Sequence, residues 1–107
     1  MTDTKMIEAI KKVAAEVLPQ GSDLILFGSR ARGDAQEDSD WDLLILLDND
    51  APPSFMDLGR YAQSFMSLGW ENGVEVNPII FTQDQWFSQK HSLFYHNVEE
   101  EGIRLWA

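Results

Sequence analysis

The chain has no cysteine, few basic residues and no long apolar run, and each absence closes off a class of function. Without cysteine there can be no disulfide framework, no thiol nucleophile and no Cys-rich zinc site, which agrees with a reducing compartment. Only 8 Lys and Arg stand against 18 Asp and Glu, a formal charge of -10, and the basic residues form no cluster. Non-specific nucleic-acid binding rests on basic groups that neutralise phosphates, so no nucleic acid is expected as a partner. The longest uninterrupted apolar run, Leu43 to Leu47 between Asp42 and Asp48, falls far short of the roughly 20 apolar residues a membrane helix needs. The first 18 residues interleave Asp3, Lys5, Glu8, Lys11, Lys12 and Glu16 with apolar positions, leaving no continuous apolar region of a signal peptide. A soluble cytoplasmic protein with no membrane association is the expectation.

What is present fits one domain over residues 1–107. A chain of this size can build a core without disulfides or structural zinc, yet about a third of the unfolded surface stays exposed. A large substrate must therefore lie on the surface or be gripped by a second protein. Ile7, Ile10, Val13, Ala14, Val17 and Leu18 recur at helical spacing until Pro19 and Gly21 stop them. Asp23 to Phe27 and Trp41 to Leu47 are short apolar runs and predict two buried strands, with a polar segment between them that opens on a tight turn and a short helix. Pro52 and Pro53 break the chain, Ser54 can cap, and Leu58, Tyr61, Ala62, Phe65 and Leu68 mark a second amphipathic helix ended by Gly69. Val74 to Phe81 predicts a third strand, in which Pro78 argues for an edge position or a bulge. Thr82 and Gln85 form a capping box for a short helix through Phe87. A last helix over residues 92–101 closes at Gly102, and alternate residues Ile103 and Leu105 of the tail are expected to point inward. The expected fold class is α/β (α+β): a small mixed β-sheet of three to four strands with helices on one face.

Seven acidic residues lie between Asp34 and Asp50, in a window with no Lys or Arg. Asp34, Glu37, Asp38, Asp48 and Asp50 read as a solvated charged loop. Asp40 and Asp42 differ, because they stand two residues apart at the start of an apolar strand and so share one face, while Trp41 and Leu43 take the other. Like charges side by side repel unless something positive sits between them, and hard oxygen ligands at this spacing suit Mg²⁺. Glu75 is a third carboxylate, on the opposite face from Val74 and Val76. It joins the pair if its strand lies beside the second, and otherwise faces solvent. Gly28 and Ser29 directly follow the first strand. Glycine lets a backbone approach a ligand, and free N–H groups, the serine hydroxyl and Arg30 or Arg32 would make a phosphate cradle. The two arginines alternate on a short helix and point different ways, so only one is expected to reach phosphate. Arg30 is preferred, against a salt bridge to the acidic loop, while Ser39 is expected to orient the loop or an aspartate.

Gly28-Ser29, ten residues, Asp40-Trp41-Asp42 and a later strand with an acidic residue, in that order, resemble the signature of the polymerase-β-type nucleotidyltransferase superfamily. The wording SRARG…DSDWDL and the closing EEEGIRLW resemble its minimal nucleotidyltransferase (MNT) branch, many members of which are encoded beside a helical HEPN-type partner. The resemblance spans Leu24 to Leu105, and its diagnostic part is Gly28 to Leu43 plus Glu75. It implies a nucleotidyltransferase fold and a site in which Asp40 and Asp42 bind two Mg²⁺ ions while Gly28 and Ser29 hold the β- and γ-phosphates of a nucleoside triphosphate. Glu75 would complete the acceptor-side metal site and help deprotonate the acceptor hydroxyl. Such a site moves a nucleoside monophosphate onto a hydroxyl and releases pyrophosphate.

Larger relatives in this superfamily carry an added helical half that holds the acceptor, and none is visible here. The resemblance therefore implies a partner: AMP from ATP would be placed on a hydroxyl of a HEPN-type protein, this chain being the antitoxin of a toxin–antitoxin pair, in a homo- or hetero-oligomer. Two alternatives remain, a non-enzymatic antitoxin that neutralises its partner by contact, and transfer to a small hydroxylated molecule. His91 and His96 lack an acidic or second histidine partner at metal spacing and read as ordinary surface or core residues. Trp86, Phe87, Leu93, Phe94 and Tyr95 are too concentrated for two short helices to bury every one, so part of this patch is a candidate partner surface.

Overall fold

Strand β2 (Trp41–Leu47) is apolar at every position but Asp42, and its pleat sends Trp41, Leu43, Ile45 and Leu47 to one side of the sheet and Leu44 and Leu46 to the other. A strand with two apolar faces needs cover on both. The computed structural model, described over residues 3–50 and 53–106, supplies it; Pro52, the first of the two expected chain-breaking prolines, lies outside the described residues. Around β2 the chain runs α1 (Asp3–Val17), β1 (Asp23–Phe27), α2 (Ser29–Arg32), then after β2 α3 (Phe55–Glu71), β3 (Val76–Thr82), α4 (Gln83–Phe87), α5 (Leu93–Glu101) and β4 (Ile103–Trp106). The four strands form one mixed sheet in the order β3-β2-β1-β4, with β1 antiparallel to β2 and β4 and with β3 parallel to β2. Pro78 lies on β3, an edge strand, where its missing N–H costs no ladder bond on the open side.

The first face packs against α1 and α3 through Met6, Ile10, Ala14, Tyr61 and Phe65, all buried with Leu24, Leu26, Leu43 and Ile45. The second face is covered as well, by Trp86 of α4 and Val98 of α5 on Leu44 and Leu46, with Ile25, Phe27, Ile79, Phe81, Phe94 and Tyr95 around them. The α/β class and four-strand sheet are as expected, but helices cover two faces and not one. The reason is the even-numbered half of β2, which needs burial too. Trp86 anchors this second core, its ring 4.9 Å from that of Tyr95 and 5.6 Å from that of Phe94. Its indole N–H donates to Glu99 at 3.0 Å. The expected aromatic concentration thus divides, with Phe87 and Leu93 left exposed.

Caps behave as their residues require. Ser54 and Asp57 form a capping box at the start of α3, and hydrogen bonding from Ser54 holds the Asp57 carboxyl below the usual carboxylate range. Thr82 and Gln85 do the same for α4. Two ends differ from expectation. A shift in the β1–β4 register beside Leu24 and Ile25 lets consecutive Leu105 and Trp106 lie against the first core, whereas Ile103, expected inward, is exposed. Helix α3 also runs through Gly69 to Glu71. That glycine serves close packing, because a Cβ there would lie 2.8 Å from both the Val74 carbonyl oxygen and Val76 Cγ2.

The two glycines of α3 therefore give opposite results on substitution. At Gly59 an added methyl meets nothing within 4 Å, and Gly59→Ala should stabilise by about 0.5–1 kcal/mol through helix propensity. At Gly69 the same gain is outweighed by overpacking against β3, typically about 1–3 kcal/mol. Urea unfolding should show a raised midpoint for Gly59→Ala and a lowered one for Gly69→Ala.

Candidate active site

The face of the sheet that carries the second core runs out at one end of β2, and the site lies where it does so. Asp40 and Asp42 continue the row of Leu44 and Leu46 beyond the cover of α4 and α5, Asp42 half-buried and Asp40 exposed. In the cross-strand register Phe27 of β1 lies opposite Asp42, and Asn77 of β3 lies opposite it on the other side. The chain leaves β1 at Phe27 and turns at once, so Gly28 is brought directly against Asp42. Gly28 has φ 78 and ψ -159, a conformation that disfavours any residue with a side chain. A Cβ at Gly28 would also collide with the Asp42 carboxylate. Conformation and close approach both demand glycine at this point, and Ser29 then opens α2 beside the aspartates.

Glu75 lies just before β3, which starts at Val76 and not at Val74 as expected. The backbone holds it in place: its carbonyl oxygen accepts a 2.9 Å hydrogen bond from the Trp41 N–H. Glu75, Asp40, Asp38 and the exposed Trp70 line a common shallow depression on this side of the pair. Among the described residues, no group of three or more His, Cys, Asp and Glu side chains converges as a metal cage. What does reach both aspartates is Asn77, whose Nδ2 donates to Asp40 Oδ2 at 3.1 Å and to Asp42 Oδ1 at 3.3 Å. Neither Asn77 nor Trp70 was legible as a site residue. The signal that would have found Asn77 is its place two residues beyond Glu75, hence on the same strand face.

Both carboxylates thus present an oxygen to a single point between them, and these are hard, anionic donors of the kind that bind Mg²⁺. The donor chemistry and the glycine-lined approach fit a divalent cation at Asp40 and Asp42.

The two arginines do point different ways. Arg30 turns to the first face, where its side chain is only 7% exposed. Its guanidinium donates to the carbonyl oxygens of Glu37 at 3.0 Å and Ser39 at 2.9 Å, pairs with Asp3 and lies over the Trp41 ring at 4.7 Å. Arg30, the arginine expected at phosphate, is engaged by this network in pinning the loop that leads into Asp40. Ser39 orients the loop as expected, its hydroxyl accepting from the Gln36 N–H at 2.8 Å. Arg32 lies on the other side, exposed, with Gly28, Phe27, Phe94 and Asn97 around a small pocket beside the turn. Hydrogen bonds to Asp34 and then Glu101 raise its pKa above the ordinary value. His91 and His96 are exposed.

A family model described as "Nucleotidyltransferase domain" matches residues 7–104. The chain is 35% identical over 83 residues to "Putative protein adenylyltransferase" of Methanocaldococcus jannaschii, covering 78% of this chain and 76% of that protein. Among solved structures, it is similar to a toxin–antitoxin crystal structure with AMP-PNP, at TM-score 0.67 and 21% identity, covering 94% of this chain and 73% of that one. It is also similar, at TM-score 0.65 and 18% identity over 94% of this chain and 72% of the other, to a mutant MntA–HpeT toxin–antitoxin structure. In that mutant two aspartates, two positions apart, are changed to glutamate. At these identities the two structural likenesses are likenesses of fold.

The packing of Gly28 on Asp42 separates two glycines with similar positive φ. Gly33, with φ 85, has nothing within 4 Å of an added Cβ, and Gly33→Ala should cost only the left-handed backbone penalty, about 1–2 kcal/mol. Gly28→Ala should cost more, about 2–4 kcal/mol, since it adds displacement of Asp42 to its own backbone strain. Urea midpoints give the order, and an NMR shift of the Asn77 side-chain amide in Gly28→Ala alone gives the cause.

Proposed function

The chain belongs to the nucleotidyltransferase domain family, and from that premise we propose that it transfers AMP from ATP to a hydroxyl of a partner protein, as the antitoxin of a toxin–antitoxin pair. The observation that carries this reading is the contact of the Gly28 turn with Asp42, which brings a turn without a side chain against a pair of carboxylates on one face. One relative and two structures of like fold support its finer parts: the relative is named "Putative protein adenylyltransferase", and the two structures are a toxin–antitoxin structure with AMP-PNP and a toxin–antitoxin pair altered at two aspartates. The partner is read as a helical protein of the HEPN type, from the sequence resemblance.

In this reading the site has a polarity set by strand order. Gly28, Ser29 and Arg32 lie on the β1 side of the aspartates and hold the triphosphate; Arg32 is the exposed arginine on that side and replaces Arg30 in the role. Glu75 and Trp70 lie on the β3 side; in this reading the acceptor hydroxyl enters there and Glu75 takes its proton. The acceptor oxygen attacks the α-phosphorus in line, the bond to the bridging oxygen of the β-phosphate breaks, and pyrophosphate leaves on the Gly28 side. Asp40 and Asp42 would hold Mg²⁺, which when bound stabilises charge on the attacking and leaving oxygens; Glu75, expected as a third ligand, lines the depression beside Asp40 but forms no three-carboxylate cage with the pair among the described residues. An acidic surface that would otherwise repel a triphosphate then receives it. Arg30 contributes by keeping residues 37–39 in place, and hence the entry of Asp40 into β2.

Incubation of the chain with α-labelled ATP, Mg²⁺ and the protein of the neighbouring reading frame is the test. Label should appear on a hydroxyl of that protein, vanish with EDTA, and fall at least about a hundredfold in Asp42→Ala, as expected when a metal clamp is removed. If the partner stays unlabelled while the chain binds ATP, the protein-acceptor reading is wrong.

A further inference from the structure

The contact between Asn77 and the aspartate pair is not explained by transfer chemistry alone. Ionised carboxylates only accept hydrogen bonds, so the side of Asn77 that faces both of them must be its NH₂ end, with its two hydrogens shared between Asp40 Oδ2 and Asp42 Oδ1. The strand register makes this placement a built one, because Asn77 lies directly across from Asp42 and shares a face with Ile79 and Phe81, both rooted in the second core. On β3 the other residues of that row, Ile79 and Phe81, are apolar, and among the described residues Asn77 is the side chain that donates to both aspartates. Its nitrogen occupies the point between the carboxylates where a cation would also make its contacts. A cation and two N–H groups cannot both face the same two oxygens, since the positive ends of the N–H dipoles would point at the ion.

Resting on the reading of Asp40 and Asp42 as a cation site, we propose that Asn77 is an internal counter-group that neutralises the aspartate pair and that a divalent cation must displace in order to bind. Asn77 is thus a residue that sets cation affinity, holding it below what two bare carboxylates would give. In the absence of a cation it relieves the repulsion between Asp40 and Asp42, which lie on adjacent same-face positions and both accept from its amide. That function needs an amide donor and not a third carboxylate.

The test is direct binding, without nucleotide or turnover. Mn²⁺ titrated into the purified chain and followed by electron paramagnetic resonance yields the dissociation constant for the wild type, Asn77→Ala and Asn77→Val; the exposed position and the strand preference of valine keep both variants folded, as urea unfolding will verify. Losing two charge-assisted hydrogen bonds from the cation-free state should tighten Mn²⁺ binding by about three- to tenfold in both variants. An unchanged constant overturns the proposal. A weaker constant overturns it too, by making the amide oxygen a cation ligand. Asp42→Ala separates the two readings: if it binds Mn²⁺ as tightly as the wild type, the cation site itself is misplaced and the proposal goes with it. If only the Asn77 variants fail to respond, the site stands and the counter-group does not.

Discussion

The rest of the structure depends on β2 being buried on both faces. Five successive apolar residues, Leu43 to Leu47, alternate between two cores, so one short strand obliges the chain to supply α1 and α3 on one side and α4 and α5 on the other. Each buried side chain contributes about 1.5–3 kcal/mol, and the strand can be central only because β1 and β3 satisfy its backbone on both edges. The register cannot slip by one residue without moving Leu44 and Leu46 into the wrong core and swinging Asp42 to the other side of the sheet. The precision of the site is thus inherited from the packing of a strand that is otherwise a hydrophobic element.

The site exists where that packing stops. Asp40 and Asp42 are the first two residues of the even-numbered row, and the helices that cover Leu44 and Leu46 do not extend over them. Stable carboxylates there require a neighbour that can tolerate them, and the neighbours are a glycine turn on one side and an amide on the other. Both choices follow from the space and charge available. A side chain at position 28 would strike Asp42, and an apolar residue at 77 would leave two like charges facing each other with no donor between them.

Arg30 shows how the remote half of the molecule reaches the site. Its guanidinium is buried against Trp41 on the first face, yet it grips the carbonyls of Glu37 and Ser39, one residue before Asp40. A buried cation is tolerated because its charge is spent on two carbonyls, the Asp3 carboxylate and an aromatic face. The acidic loop, which carries like charge along its length, is fixed by backbone contacts where ion pairs between its own side chains are impossible.

Much of this molecule was legible in its residues taken in order. Periodicity places the helices and strands, the caps at Ser54 and Thr82 follow from capping chemistry, Pro78 points to an edge, and the two-residue spacing of Asp40 and Asp42 puts both on one face. Those are local facts, decided by φ/ψ preference, by the pleat and by hydrogen bonds a few residues apart. Other features depended on which strand lies beside which. The role of Arg30, the extension of α3 through Gly69, the exposure of Ile103 and the meeting of Asn77 with both aspartates follow from contacts between segments far apart in the chain. Sequence alone therefore determined the elements and the carboxylate pair, because the pleat acts residue by residue. Only the tertiary structure decided what faces that pair, because register and sheet order bring together residues that no spacing rule connects.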